Sequence, residues 1–227
     1  MVSNRLRTIV DLVSGAHVAA DIGCDHGYVA KSLLEEHRAK MVIACDISEK
    51  SLLKTAKLVA GSGLNGKILI RRGDGLKILG EEEADVIVIA GMGGRRIMYI
   101  MENDKKKARY ASKLVLAPNR NEKELRKYLL SNGYAIRDER LALEGGRYYQ
   151  VISASAGVAE PETDEFFYIV GRKLIENGDK NLRGFLRKEI TRLETVLSRA
   201  YLGKDQKEYA KRLTGLKKKM EEVWACL

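Results

Sequence analysis

The apolar run Val18-Ala19-Ala20-Asp21-Ile22 stops abruptly at Gly23-Cys24-Asp25-His26-Gly27, and the chain then repeats that design. Strand-like runs at 18–22, 40–45, 67–72, 85–90 and 112–116 alternate with helix-period segments near 28–36, 48–60, 93–103 and 121–131. A further helix precedes them, capped by Ser3 and carrying Leu6, Ile9, Val10 and Val13 on one face. Strands separated by helices imply βαβ units and a mostly parallel α/β sheet, with right-handed crossovers placing helices on both faces. Such a sheet takes its ligand outside the carboxyl ends of the strands. Acids and glycines stand at four of those ends: Asp21 to Gly27, Ala44-Cys45-Asp46-Ile47, Gly73-Asp74-Gly75 and Ile89-Ala90-Gly91-Met92-Gly93-Gly94.

The alternation ends after Asn132. Residues 134–143 and 147–155 are strand-like and joined by Glu144-Gly145-Gly146-Arg147, with no room for a crossover helix, so they read as an antiparallel hairpin. A parallel Rossmann-like sheet that finishes in a hairpin is the layout of class I methyltransferases, whereas an NAD-binding domain would continue with βα units. Residues 156–163 form a break, and the remainder is helical in pattern. Leu186, Ile190, Leu193, Leu197 and Ala200 keep steps of four and three, as do Tyr209, Leu213, Leu216, Met220 and Val223, with Gly203-Lys204-Asp205 as a turn between them. Two such seams predict an antiparallel helical hairpin with coiled-coil-like packing. The other reading is a pair of ordinary amphipathic helices laid on the main domain. The expected division is 1–158 for the sheet and 159–227 for the helices. Seams that cover each other within one chain require no dimer, so a monomer is expected.

Hydrophobic residues at 45% beside 32% charged residues describe a soluble globular chain, and a net charge of +10 favours a polyanionic partner such as RNA or DNA. Residues 160–227 carry 15 Lys/Arg against 12 Asp/Glu, a net +3, which leaves +7 for residues 1–159. Both parts could touch a polyanion; a merely basic protein is the plainer alternative. Cys24, Cys45 and Cys226 are scattered, without a CxxC pair, which fits neither a disulfide framework nor a metal site and suits a reducing cytoplasm. Asp11 interrupts the apolar N-terminal segment, and no run is long enough to span a membrane, so neither a signal peptide nor a membrane partner is expected.

The four acid-and-glycine ends suit one kind of ligand. Gly23 and Gly27 allow close approach, and a helix starting near Tyr28 would aim free amides at a carboxylate. Asp21 and Asp25 can accept hydrogen bonds from an ammonium group. Asp46, next to Ile47, is placed to grip ribose hydroxyls, and Asp74 beside Gly75 to accept from an adenine amino group. Gly91 and Met92 end the fourth strand where a transferable group would lie. Acids fit a cationic sulfonium cofactor, S-adenosylmethionine, better than a pyrophosphate, and the G-x-G-x-x-G fingerprint is missing. Turn formation, helix capping and close helix–strand packing are the bland alternatives at each position. His26 is read as touching the ligand, with a structural role as its alternative.

Arg5-Leu6, Asp21-Ile22-Gly23-Cys24-Asp25-His26, Ala44-Cys45-Asp46-Ile47, Gly73-Asp74-Gly75-Leu76, Ile89-Ala90-Gly91-Met92-Gly93-Gly94 and Pro118-Asn119 follow in order, and Leu125-Arg126, Gly133-Tyr134, Glu139 and Tyr148-Tyr149 continue the series. In these elements the chain resembles the bacterial TrmK family of tRNA (adenine-N1)-methyltransferases. Ala117, where Gln is expected, and Gly27, where Ala is expected, depart from the pattern without removing a charge. The resemblance implies transfer of a methyl group from S-adenosylmethionine to N1 of adenine 22 in tRNA, leaving S-adenosylhomocysteine. A noncatalytic RNA-binding protein on the same scaffold and an NAD-dependent oxidoreductase are the competing classes.

Adenine N1 carries an in-plane lone pair that is free at neutral pH, so direct transfer needs alignment more than a general base. Asn119 is the candidate for holding the base edge, a turn residue being its alternative. Tyr28, Tyr99, Tyr148 and Tyr149 are candidates for stacking on an extruded base. Lys105-Lys106-Lys107-Ala108-Arg109, the densest basic run, is expected in a loop, either touching phosphate or solvated.

Overall fold

A computed structural model describes residues 3–200 and 207–227. In chain order the elements are α1 (Asn4–Leu12), β1 (Ala16–Ile22), α2 (Tyr28–Glu35), β2 (Ala39–Asp46), α3 (Glu49–Ala60), β3 (Ile68–Arg72), a 3-10 turn (Gly75–Ile78) and β4 (Val86–Ala90). There follow α4 (Gly94–Asn103), α5 (Lys105–Tyr110), β5 (Lys113–Ala117), α6 (Glu122–Ser131), β6 (Tyr134–Glu144) and β7 (Arg147–Ala156). Four helices close the chain: α7 (Glu165–Val170), α8 (Arg172–Glu176), α9 (Leu182–Ala200) and α10 (Lys207–Ala225).

One seven-stranded sheet runs in the order β3-β2-β1-β4-β5-β7-β6. The first five strands are parallel, and β7 lies antiparallel to both β5 and β6. Chain order therefore reverses between β1 and β4, which opens a crevice beyond their carboxyl ends. Alternation along β4 explains the layering. Val86 and Val88 face a core built with Ile9, Val10, Leu33 and Val42, while Ile87 and Ile89 face a second core with Ile97, Met101, Leu125 and Leu129. Both faces are covered, as a parallel sheet requires. On α1, Ser3 accepts a hydrogen bond from the Leu6 amide, and Ile9, Val10 and Leu12 are buried. Each such burial contributes about 1.5–3 kcal/mol, which fixes α1 against the sheet.

The basic run expected in a loop is instead the short helix α5. Ala108 is fully buried and its amide donates to Asp104 O at 3.1 Å, while Lys107 donates to Leu76 O at 3.0 Å. One buried residue anchors the helix, too few to leave a periodic signal. The turn expected at Gly203-Lys204-Asp205 lies outside the described residues.

In the C-terminal region Leu186, Leu193, Leu197, Leu213, Leu216 and Met220 are buried in one cluster, with Ile190 and Val223 packed on it. Leu141 of β6 joins that cluster, so the helices rest on the sheet's hairpin edge. Their attachment is polar as well. Arg126 of α6 donates to Glu139 at 2.6 Å, to Tyr168 O at 3.0 Å and to Gln150, and Glu139 accepts from the Lys173 amide at 3.0 Å. Gly171, at φ 93°, leaves the room: a Cβ there would lie 2.7 Å from both the Arg126 guanidinium and the Glu139 carboxylate.

Candidate functional site

A cavity of about 350 Å³ occupies the crevice, walled by Ile22, Gly23 and Asp25 after β1, Cys45, Asp46 and Ile47 at β2, and Gly73, Asp74 and Gly75 after β3. Ala90, Gly91 and Met92 at the end of β4, with Arg96 and Ile100 of α4, complete it. The loop after β1 passes through the left-handed region at Gly23 (φ 76°), Asp25 (φ 44°) and Gly27 (φ 73°). Any side chain on Gly23 would collide with the Met92 methyl group. That methyl group can swing aside, so the positive φ is what calls for glycine here. The Gly23 and Cys24 amides both donate to Cys45 O, at 2.8 and 2.9 Å, tying the loop to the end of β2.

Asp46 is held by two backbone amides. Its Oδ1 accepts from Ser48 at 2.8 Å and its Oδ2 from Asp25 at 3.2 Å. These bonds fix the carboxylate while leaving lone pairs for a ligand's hydroxyls. Asp74 is differently placed: its Oδ1 accepts from Arg96 Nη2 at 2.5 Å, so an adenine amino group would share it with a guanidinium. Asp25, exposed, accepts from the Ser51 hydroxyl at 3.4 Å, and Lys54 lies 3.7 Å away.

Three expected site residues stand off the wall. Asp21 is 2% exposed, and its Oδ2 has no hydrogen-bond partner. Burial pushes its carboxyl up to about 7; the Ala30 amide opposes that shift and the Asp46 charge adds to it. His26 stacks with Tyr28 at 5.7 Å and has Lys54 Nζ 3.2 Å from its Nε2, outside the cavity. Asn119 sits beyond β5, and its Nδ2 donates to Gly91 O at 2.6 Å. That bond leaves Oδ1 enclosed and unpartnered, and the Asn119 backbone amide donates at 2.7 Å to O of Met92, a residue of the cavity wall. The structure therefore brings together Gly23, Asp25, Asp46, Ile47, Asp74, Gly75, Gly91 and Met92, with Asp21, His26 and Asn119 around them.

Sequence reasoning missed Arg96 and Ile100. Both lie on the face of α4 that looks at the Asp74 turn, and the one available signal was their spacing of four. Cys45 was also missed; burial pushes its thiol, like that of Cys24, up to about 12, which keeps both protonated and inert. Of the four tyrosines, Tyr148 is committed to packing, edge-on to Phe185 at 5.9 Å. Tyr28 and Tyr99 are exposed, and Tyr149 lies beneath two arginines. Among the described residues no cluster of His, Cys, Asp and Glu could hold a metal ion, and no helix is long and apolar enough to cross a membrane.

The family model for TrmK, tRNA (adenine(22)-N(1))-methyltransferase, matches residues 19–224. The chain is 39% identical to a tRNA (adenine(22)-N(1))-methyltransferase of Bacillus subtilis over 155 residues, which are 68% of this chain but 65%, just under two thirds, of that protein. Its structure is similar to Streptococcus pneumoniae Sp1610 in complex with S-adenosyl-L-methionine, with a TM-score of 0.86, 30% identity, and 99% and 100% of the two chains covered. It is also similar to M. capricolum TrmK in complex with S-adenosyl-homocysteine, with a TM-score of 0.83, 27% identity, and 98% and 99% covered.

Proposed function

The chain belongs to the TrmK family, and on that premise we propose that it is an S-adenosylmethionine-dependent methyltransferase acting on N1 of adenine 22 in tRNA. The observation that carries this reading is a pair of acceptors: Asp46 on the cavity wall, aimed by two amides, and Asp21 buried behind that wall with an orphaned Oδ2. Both suit a cofactor with ribose hydroxyls and a cationic amino acid end; neither suits a pyrophosphate, whose charge they would repel. The sheet's hairpin ending likewise argues against an NAD-dependent oxidoreductase.

In this reading Asp46 holds the ribose, Asp21 and Asp25 attract the ammonium, and the loop at Gly23 makes room for the chain between them. Asp74 and Gly75 border the adenine ring, with Ile47 and Ile100 as apolar walls. When bound, S-adenosylmethionine supplies a methyl group on a sulfonium, an electrophile that asks only for a lone pair. Because adenine N1 offers one without losing a proton, no side chain need act as a base. Asn119 is then the residue that would position the substrate: Nδ2 is fixed on Gly91 O, and the enclosed, unpartnered Oδ1 would accept from the exocyclic amino group next to N1 once the side chain turns toward the bound base. Water exclusion falls to Met92 and the glycines around it.

We assign the sheet domain, 1–158, to cofactor binding and the helices, 159–227, to gripping the body of the tRNA, in a single chain working in the cytoplasm. Incubation of unmodified tRNA with labelled S-adenosylmethionine, followed by nucleoside mass spectrometry, tests the activity. The expected product is 1-methyladenosine; label in guanosine or cytidine alone would overturn the base assignment.

A further inference from the structure

Beside Asn119 the structure gathers three arginines for which the cofactor has no use. Arg5 of α1 donates to Ala117 O at 3.0 Å, and Arg147 at the start of β7 donates to Asn119 O. Both guanidinia lie over the ring of Tyr149, at 4.4 and 4.9 Å from its centre. Arg120, next along the loop, is exposed and packs beside Gly93 of the Gly-Met-Gly-Gly turn. Among the described residues none of the three has a carboxylate within ion-pair distance.

This arrangement is costly without an anion. Two cations share one aromatic ring, and Arg5 is half-buried, with an enclosed Nε that has no partner. Burial lowers its pKa and the charge of Arg147 lowers it further, while Tyr149 and Glu144 oppose them. A ring and two backbone carbonyls stabilise guanidinia, but they leave several N–H groups without a hydrogen-bond partner among the described residues. These groups border the place where the methyl acceptor must lie, because Asn119 is bonded to Gly91 on the cavity wall.

We infer that Arg5, Arg120 and Arg147, ordered by Tyr149, form a phosphate-binding mouth that takes the RNA phosphodiester adjoining the target adenosine and so sets that base against Asn119. The inference rests on the tRNA reading above. A planar guanidinium meets phosphate oxygens through two parallel bonds, and the stacked pair is rigid enough to select a strand that presents its base inward. The three residues position the substrate and take no part in the bond changes.

The test measures tRNA affinity against salt for the intact protein, with S-adenosylhomocysteine present. Arg147→Gln should weaken tRNA binding about tenfold and make the slope of log affinity on log salt shallower by about 0.7–0.9 for each lost phosphate. S-adenosylhomocysteine affinity should stay unchanged. Arg147→Lys, which keeps the charge, should restore the slope; a role confined to bracing the loop would not respond in that way. Should Arg147→Gln fail to fold, the exposed Arg120→Gln decides, with the same shallower slope expected. An unchanged slope in the folded variants would overturn the mouth. Methylation of tRNA by the wild-type protein is scored in the same samples, so a failure of the tRNA reading registers there instead.

Discussion

Glu139 and Asp21 are equally buried, each with 2% of its surface exposed, yet their carboxylates live in opposite surroundings. Glu139 meets the Arg126 guanidinium and the Lys173 amide, and Arg126 spends its remaining donors on Gln150 and on the last carbonyls of α7. Asp21 leaves Oδ2 unbonded behind the cavity loop. A buried charge with every partner supplied by the chain is finished structure. A buried acid with one oxygen left unbonded, next to an open crevice, is a candidate for meeting something the chain does not contain. A related contrast separates the crevice cavity from a larger one. In the larger, about 690 Å³ beneath α9 and α10, Lys123 and Arg212 face Glu165 and Arg192 pairs with Glu189, while Arg147 on its lining has no carboxylate within ion-pair distance among the described residues. In the smaller one Asp74 is shared with Arg96, but Asp46 is bonded to backbone amides alone and faces no cation among the described residues.

The contrast breaks most visibly at the junction. Glu139→Ala strands a buried guanidinium and should cost about 3–5 kcal/mol, read by urea unfolding. A loss under about 1 kcal/mol would mean that the helices do not depend on this network. In the crevice the expected effect is on ligand, not fold. Asp46→Ala should weaken S-adenosylmethionine binding by roughly 2–3 kcal/mol with an unchanged unfolding curve. Wild-type affinity in that variant would remove Asp46 from the site.

Asp21 supplies a pH test. Its folded pKa is raised from 3.8 to about 7, so the native state keeps a proton that the unfolded chain releases. The stability tied to that proton is full below pH 3.8 and is lost as pH rises through about 7. Unfolding measured across this window should show wild-type stability falling with pH relative to Asp21→Asn, in which the slope is absent. If Asp21 also meets the ligand's ammonium, binding below pH 7 should release a proton, visible as a buffer-dependent heat in titration calorimetry. The smallest effect belongs to Arg96→Ala: because both partners are well exposed, freeing Asp74 should change cofactor affinity by less than about 1 kcal/mol. A loss comparable to that of Asp46→Ala would show that Arg96 itself holds the ligand.

What the sequence made legible follows the same division. The strands at 18–22, 40–45 and 85–90 lie inside or within a residue of the observed ones, because apolar runs that end abruptly at glycine or acid leave little freedom in placing their ends. Asp46, Asp74 and Gly91 were legible as positions for the same reason: the fold presents whatever follows a strand. Pairings through space were not legible. Nothing local links Arg96 to Asp74, 22 residues away, or Arg126 to Glu139, 13 residues away. Nor could the sequence reveal that Asp21 would fall behind the wall while Asp25 reached it, since that depends on a loop with left-handed backbone at Gly23, Asp25 and Gly27.

On the proposed reading, the acceptors left open in the crevice, and not the paired charges elsewhere, serve a methyl transfer to the pairing edge of one tRNA base. A methyl group on adenine N1 blocks Watson–Crick pairing, so primer extension by reverse transcriptase on treated tRNA reads it directly. Treatment with the wild-type protein and S-adenosylmethionine should give a stop at adenine 22, one that Asp46→Ala strongly reduces and Glu139→Ala, wherever it remains folded, largely retains. Read-through at that adenine with the folded wild-type protein, on tRNA whose mass has not changed, would contradict the account.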